Sequence, residues 1–179
     1  TRLQRIQRDI PAKLIVAGSK HSNFRQLARN RLIQSGKHCR CVRCREIGRL
    51  PSLAKSSIQV LEYAACGGTE HFISAVSDDS LIGFARLRFP SMTYRPELEN
   101  AALLRELHVY GSLVPVGQDA ESEEWQHRNF GKELLLRAEE IARGAGFRSL
   151  AIMSGIGVRP YYRRQGYERR GPYMSKELS

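Results

Sequence analysis

Residues 103–144 read LLRELHVYGSLVPV, then GQDAESEEW, then QHRNFGKELLLRAEEIARG, and this stretch decides the fold. The first piece is apolar and rich in valine, which favours a strand. The second piece is an acidic connection. In the third, apolar residues recur at three- and four-residue spacing from Leu134 to Ala145, which predicts a helix that ends at Gly144 and Gly146. The charged residues expected on its exposed face are Lys132, Glu133, Arg137, Glu139, Glu140 and Arg143.

Residues 126–131, between the predicted strand and helix, read as a turn that could hold a phosphate. A helix start presents unpaired N–H groups and the positive end of the helix dipole, both of which suit a pyrophosphate. Gly131 lets a phosphate approach the backbone with no Cβ in the way. An ordinary helix start that contains a glycine is the alternative, and the turn alone does not exclude it.

Charge is distributed unevenly along the 179 residues. Residues 1–55 carry 14 Lys and Arg against Asp9 and Glu46, a net +12, and residues 56–179 carry 15 against 16, a net −1, which together give the overall +11. A segment this basic, and richer in Arg than in Lys, is typical of contacts with a phosphate backbone. We therefore expect it to bind nucleic acid, and charge alone does not distinguish RNA from DNA. A solvated basic face, or one that docks on an acidic neighbouring domain, is the alternative.

The length of the chain suits one well-buried core with a small appendage. The sequence has no apolar run of membrane-spanning length and no signal-peptide pattern, so we expect a cytoplasmic protein with no membrane partner. It begins without an initiator methionine, and we expect it to be the interior of a longer protein.

Within the basic segment, residues 14–18 (LIVAG) read as a short strand, and residues 21–36 read as a helix with Ser22 or Asn23 as its N-cap. The helix ends at Gly36. The residues expected to face inward are Phe24, Leu27, Ala28 and Leu32.

Three of the four cysteines follow the pattern C-x-C-x-x-C. They are Cys39, Cys41 and Cys44. In a chain that is not exported, such a cluster predicts a metal site rather than disulfides, and Zn²⁺ with four ligands is the expected ion. We expect His21 as the fourth ligand, ahead of His38 and Cys66. An iron–sulfur cluster and three unliganded thiols are the alternatives. Cys66 is expected to be a buried small apolar residue.

The remainder of the chain predicts an α/β (α+β) domain over residues 56–179, after a basic zinc-binding segment over residues 1–55. Apolar alternation and the turn residues around Gly67 and Asp78 predict three antiparallel strands before Pro90. After the helix we expect another strand, a short helix, a glycine turn and a final strand.

The order strand, Q-x-x-x-x-G loop, helix, strand and R-x-Y-Y-x-x-x-G-Y resembles the core of the GNAT N-acetyltransferase superfamily. A finer resemblance is to the C-terminal half of the Elongator catalytic-subunit family, which modifies the wobble uridine of tRNA. It is carried by RELHVYGSLVPV, QHRNFGKELL, PYYRRQGYERRGPYM, RIQRDIP and CxCxxCRE, and it covers essentially the whole chain. It implies a mixed, mostly antiparallel sheet with a splayed central strand pair and flanking helices.

The resemblance implies that acetyl-CoA is held between the two splayed strands. The pantetheine arm would pair with the strand around Glu106, Leu107, His108, Val109 and Val114. The pyrophosphate would bind the loop amides of Arg128, Asn129, Phe130, Gly131 and Lys132. Asn129 departs from the first glycine of the family pattern, and we expect the loop to tolerate it because Asn accepts a left-handed backbone.

Tyr161 and Tyr162 fall where the family places tyrosines near the thioester sulfur. A phenol there can donate a proton or a hydrogen bond to the leaving thiolate, and Tyr161 would also contact the cofactor. Glu106 and His108 could serve as acid–base groups, or either could be merely buried.

The resemblance further implies tRNA, at its anticodon region, as the partner of the basic segment. The residues expected to contact it are Arg5, Arg8, Lys20, Arg25, Arg29, Lys37, Arg40 and Arg43. It also implies that the parent chain has a radical S-adenosylmethionine domain with S-adenosylmethionine and a 4Fe–4S cluster, whose cysteines this sequence lacks. This fragment would hydrolyse acetyl-CoA and deliver the acetyl group to that domain.

Two alternatives remain open. One is a non-catalytic RNA-binding zinc module with a degenerate GNAT domain, which Asn129 in the phosphate loop supports. The other is a protein-lysine acetyltransferase, which the +12 segment disfavours because like charges repel.

Overall fold

The computed structural model describes residues 11–18, 20–21, 23–46, 56–110 and 122–178. The chain divides into two compact units, Thr1–Arg45 and Glu46–Ser179. The predicted domain boundary at residue 55 lies outside the described residues and stays a prediction, as do the predicted roles of Arg5, Arg8 and Val114.

The first unit contains two helices, α1 (Phe24–Gln34) and α2 (Val42–Arg45). The prediction of α1 is confirmed, with Asn23 at its N-cap. The prediction that one face of this helix is buried is wrong. Phe24 and Leu27 are 44% and 40% exposed, and no residue of α1 is buried. The described part of this unit offers no apolar face large enough to cover α1.

The predicted strand at residues 14–18 is also wrong. Residues Ala12–Leu14 form a 3₁₀ turn, and the backbone bends through the three residues 16–18. An apolar run of five residues cannot form a stable strand unless another strand pairs with it, and no strand among the described residues does so.

The second unit is built on a seven-stranded sheet in the order β1-β2-β3-β4-β5-β7-β6. All neighbouring pairs are antiparallel except β4 and β5, which confirms the predicted mixed sheet. The strands are β1 (Ser56–Ala65), β2 (Gly68–Ser77), β3 (Ser80–Phe89), β4 (Ala101–Val109), β5 (Ser149–Ile152), β6 (Glu168–Arg170) and β7 (Tyr173–Glu177). The helices of this unit are α3 (Ser122–Gly144) and α4 (Arg159–Arg164).

The first three strands form the predicted meander, joined by turns at residues 66–67 and 78–79. Cys66 occupies the first turn with a φ of +46° and is exposed. The prediction that Cys66 is buried is therefore wrong, because the turn takes its side chain out of the sheet.

One face of the sheet is covered by α3, whose buried residues include Leu134, Ala138 and Ala142. Glu139 was predicted to be on the exposed face, but it is only 4% exposed. Its carboxylate accepts hydrogen bonds from the Tyr167 hydroxyl at 2.7 Å and from Lys176 Nζ at 2.9 Å, so the buried charge is paired. The buried stripe of α3 is therefore wider than the apolar spacing predicted.

The predicted turn at residues 126–131 is wrong in this structure, because α3 already begins at Ser122. The stretch contains one glycine and no proline, and its Gln and Arg residues are good helix formers. Nothing in this composition therefore prevents the helix from extending toward its N-terminus.

Among the described residues, no helix combines the length and the apolar character needed to cross a membrane. The expected cytoplasmic location stays a prediction.

Candidate active site

A gap opens in the sheet between β4 and β5. The two strands pair over only four residues each, 101–104 with 149–152, and the Met153 N–H donates the next hydrogen bond to the Leu104 carbonyl at 3.1 Å. Beyond this point β4 continues to Val109, whereas β5 ends at Ile152 and the segment that follows it does not continue the strand. Among the described residues, this part of β4 therefore has a strand partner on its β3 side only.

Backbone groups of β4 face the gap. The Tyr110 N–H donates to the Ile82 carbonyl of β3 at 2.8 Å, so by strand alternation the amides of Leu107 and Val109 face the other way, into the gap. An extended chain that carries amides can pair with such a free edge. By the same alternation the amides of Glu106 and His108 face β3, so a contact from these two residues to a cofactor would have to come from their side chains.

The hydroxyl of Tyr161 lies at a corner formed by α4, α3 and β4. A Cβ atom built on Gly131 would lie 3.2 Å from Tyr161 Oη and 3.7 Å from Val109 Cγ2, so a side chain at position 131 would crowd the Tyr161 hydroxyl. Tyr161 Oη is buried and has no hydrogen-bond partner among the described residues. Burial raises the pKa of Tyr161, against a small opposing effect of Arg164, so the phenol stays protonated and can donate a hydrogen bond.

Tyr162 lies in the core instead. Its ring contacts Tyr161 edge-on at 5.1 Å and Tyr167 at 6.0 Å between centroids, and burial raises its pKa to about 12. Of the two predicted tyrosines, Tyr161 is the one whose hydroxyl reaches the Gly131 corner.

Glu106 forms an ion pair with a residue that the sequence analysis did not single out. Arg86 on β3 forms an ion pair with it, with Nε and Oε2 3.1 Å apart. The two residues are register partners on adjacent strands. A charged residue in the middle of an apolar strand was the available signal. His108, two residues further along β4, is exposed.

The predicted diphosphate site is not formed in this structure. Phe130 and Gly131 lie in the interior of α3, where backbone N–H groups bond to carbonyls four residues earlier. The Phe130 side chain is buried in the core, and Asn129 and Lys132 are exposed. Arg128 lies on the same helix. The residues present therefore fit the pantetheine and thioester part of acetyl-CoA, and the helical arrangement of 126–131 does not fit its diphosphate.

The three clustered cysteines of the first unit are brought together. The sulfur atoms of Cys39, Cys41 and Cys44 all lie within 4.8 Å of one another. Zn–S bonds of about 2.3 Å require sulfur atoms about 3.8 Å apart in a tetrahedron, so small side-chain rotations would complete three sides of a zinc site. His21 and His38 do not belong to the cluster that the described residues form, and the fourth ligand stays a prediction.

The surroundings of the cluster favour a thiolate at Cys41. Arg25 Nη2 lies 3.3 Å from Cys44 Sγ and 3.7 Å from Cys41 Sγ. Although burial opposes it, hydrogen bonds from the Cys44 backbone, from the other two thiols and from Arg25 lower the pKa of Cys41 to about 7. Burial and the neighbouring sulfur atoms raise the pKa of Cys44. A guanidinium beside low-pKa sulfur is the environment expected of a metal-binding thiolate.

The basic side chains predicted to contact tRNA differ in their surroundings. Arg25 contacts the cysteine cluster and is half-buried. The exposed members of the set are Lys20, Arg29, Lys37, Arg40 and Arg43.

Comparison with known proteins gives consistent matches. A model of the acetyltransferase (GNAT) family matches residues 44–167. The tRNA uridine(34) acetyltransferase of Methanocaldococcus jannaschii is 44% identical over 99% of this chain and 35% of its own length. Elongator complex protein 3 of Danio rerio is 45% identical over 99% of this chain and 34% of its own length. The chain thus spans about a third of these relatives.

A solved structure agrees with the sequence matches. The archaeal Methanocaldococcus infernus Elp3 with a deletion of N-terminal residues superposes with a TM-score of 0.84 at 43% identity. The match covers 97% of this chain and 43% of that one. The expected resemblance to the Elongator catalytic-subunit family is confirmed over the whole chain.

Proposed function

Because the chain belongs to the acetyltransferase (GNAT) family, we propose that it is the acetyl-CoA-binding and RNA-contacting part of a tRNA uridine(34) acetyltransferase. The observation that carries the proposal is the Tyr161 corner. The buried Tyr161 hydroxyl has no hydrogen-bond partner among the described residues and lies beside Gly131 and Val109. Val109 belongs to β4, the strand whose free amides face the gap. Unsatisfied buried hydroxyls are uncommon and need an explanation, and a ligand atom supplies one here.

Acetyl-CoA supplies an acetyl group that is activated as a thioester. The residues of this chain that would hold it are Leu107 and Val109, through backbone hydrogen bonds along the gap. Tyr161 keeps its proton at neutral pH and donates it, or a hydrogen bond, at the corner. Phe130 of α3 and Tyr162 of α4 both belong to the core, and the neighbouring residues Gly131 and Tyr161 meet at the corner.

RNA as the partner is supported by charge and by the relatives. Residues 1–55 carry a net +12, and several of their basic side chains are exposed. Proteins more than 40% identical to the chain are named for action on tRNA uridine 34. Zinc bound by Cys39, Cys41 and Cys44 would hold the basic side chains of this small unit in a fixed arrangement.

The complete reaction is proposed to need a domain that lies outside this chain. We infer a radical S-adenosylmethionine domain with S-adenosylmethionine and a 4Fe–4S cluster in the parent protein, which would receive the acetyl group. The proposal is supported by the length of the relatives, of which the chain spans about a third.

A non-catalytic RNA-binding module is the second candidate, because α3 runs through residues 126–131 and leaves no diphosphate loop. Release of free thiol from acetyl-CoA, followed in the full-length protein with and without tRNA, separates the two. We expect slow thioester hydrolysis. If acetyl-CoA is neither bound nor hydrolysed in either condition, the enzymatic proposal is wrong and the second candidate is favoured.

A further inference from the structure

Aromatic side chains cluster on the sheet face opposite to α3. The rings of Phe72 and Phe84 stack with centroids 5.2 Å apart, and Tyr110 lies 6.3 Å from Phe84. His108 lies 4.5 Å from Tyr110 at 70° and 6.0 Å from Phe84. The four rings come from β2, β3 and the end of β4, so the sheet itself fixes their spacing.

A guanidinium completes the cluster. Arg86 lies over Phe72 at 5.3 Å and over Phe84 at 5.7 Å, both distances measured to the ring centroids. Its ion pair with Glu106 fixes the side chain in that position. Phe84 is buried beneath, Phe72 and Tyr110 are half-buried, and the His108 ring is exposed. Among the described residues of this cluster, the His108 ring is therefore the planar group that is exposed, and the other rings and the guanidinium lie beside or beneath it.

The cluster lies beside the gap. Side chains alternate along β4, so Leu107 and Val109 face the core while Glu106 and His108 face the opposite side. Tyr110, which follows the end of β4, packs partly against the core and holds its ring edge-on to His108. Among the described residues, α3 and Tyr161 lie on the core side of the gap and His108 is exposed on the other side, which favours approach of an acceptor over His108.

We propose that His108 and Tyr110, backed by Phe84 and Arg86, form a stacking site for the pyrimidine base that accepts the acetyl-derived group. The proposal rests on the proposed function and adds where the base binds. Proteins that bind single-stranded RNA stack splayed bases on aromatic rings and on the planes of Arg side chains. A uridine stacked on His108 would lie next to the end of the gap.

The test measures RNA binding by fluorescence anisotropy with the full-length protein. Two labelled RNA hairpins are compared, one with uridine at the centre of a single-stranded loop and one with an abasic residue there. His108→Ala and Tyr110→Ala should each weaken binding of the uridine hairpin by roughly 10-fold, the size expected for loss of one base–aromatic contact. Neither should weaken binding of the abasic hairpin by more than about twofold, which also shows that the variants fold.

Two further variants sharpen the result. His108→Phe keeps a planar ring and should restore binding of the uridine hairpin, which excludes an acid–base role as the cause. Tyr94→Ala removes an aromatic ring that is 89% exposed elsewhere in the same unit and should bind both hairpins like the wild type.

The outcomes are distinct. Equal binding of the uridine hairpin by wild type and both alanine variants, or equal losses on both hairpins, overturns the stacking site and leaves the proposed function standing. A wild-type protein that binds the hairpins but not acetyl-CoA contradicts the proposed function, and the acceptor site with it.

Discussion

At the scale of single residues, Tyr161 is the side chain whose position predicts chemistry. Replacing Tyr161 by Phe removes only the hydroxyl beside Gly131. We expect hydrolysis of acetyl-CoA to fall by about 100-fold, at the lower end of general acid catalysis, with acetyl-CoA affinity changed by less than about twofold. Release of free thiol and titration calorimetry measure the two quantities.

Tyr162→Phe is the matched control, because its ring belongs to the core. It should leave turnover within about threefold of wild type. Since burial raises the pKa of Tyr161 above its ordinary value of about 10, its proton is present at neutral pH and is lost only as pH rises through that raised value. The ratio of wild-type to Tyr161→Phe rates should therefore be constant between about pH 6 and 9. A ratio near one throughout would exclude a catalytic role for the hydroxyl.

Glu139 carries a prediction about stability. Lys176→Ala would leave its buried carboxylate with the Tyr167 hydroxyl as its remaining partner among the described residues. We expect the free energy of unfolding to fall by about 3 kcal/mol, as when one partner of a buried ion pair is removed. Denaturant titration measures it. Arg137→Ala breaks an exposed pair with Glu140 on the same helix and should cost less than about 0.5 kcal/mol, and equal losses in the two variants would show that Glu139 does not depend on Lys176.

Sequence patterns predicted the position of a single residue only where residues close to it in the sequence determine that position. Tyr161 and Gly131 were both singled out, but their contact brings together residues 30 positions apart and follows only from the packing of α4 on α3. Glu139 was misplaced for the opposite reason. A charged residue is normally exposed, and its partners Tyr167 and Lys176 are too distant in sequence to be recognised as such.

At the scale of elements, the start of α3 is the feature most open to test. With the helix starting at Ser122, residue 128 is in its interior, and Arg128→Pro would remove one backbone hydrogen bond and clash with the carbonyl of residue 124. We expect a loss of about 3 kcal/mol in the free energy of unfolding. Glu123→Pro lies in the first turn, where proline is tolerated, and serves as the control.

Equal stability of the two proline variants would contradict a helix that starts at Ser122. It would instead support the sequence interpretation, in which the helix begins near Gly131 and its first amides are free for a diphosphate.

The elements that the sequence predicted correctly are those with strong periodicity. Alternation and turn residues predicted β1, β2 and β3, and the spacing from Leu134 onward predicted the C-terminal part of α3. The strand at 14–18 failed because strand formation depends on a neighbour to pair with. The gap was implied by the family resemblance alone, since it arises where β5 ends after only four residues while β4 continues.

At the scale of the whole molecule, the two units differ in how they are stabilised. The sheet unit has a continuous core, whereas no residue of α1 in the first unit is buried. The described part of this small unit has no core of its own, a condition in which a metal or a disulfide is usually needed for folding, and the clustered cysteines indicate a metal.

Cys41→Ser, or removal of metal with a chelator, should therefore abolish zinc binding and the helical signal of α1 while the sheet unit stays folded. Zinc content by elemental analysis and amide hydrogen exchange across both units check this. Cys66→Ser, which alters an exposed thiol outside the cluster, should change neither. Unchanged zinc content in Cys41→Ser would remove Cys41 from the ligand set.

We propose that this protein holds acetyl-CoA at the corner between Gly131, Tyr161 and Val109. Titration calorimetry of acetyl-CoA into wild type and Gly131→Leu tests it most directly, with Gly144→Leu as control because a side chain at that end of α3 meets open space. We predict binding of one acetyl-CoA by wild type and Gly144→Leu, and at least a roughly 10-fold loss in Gly131→Leu at unchanged thermal stability. Equal affinity in all three proteins would contradict the claim.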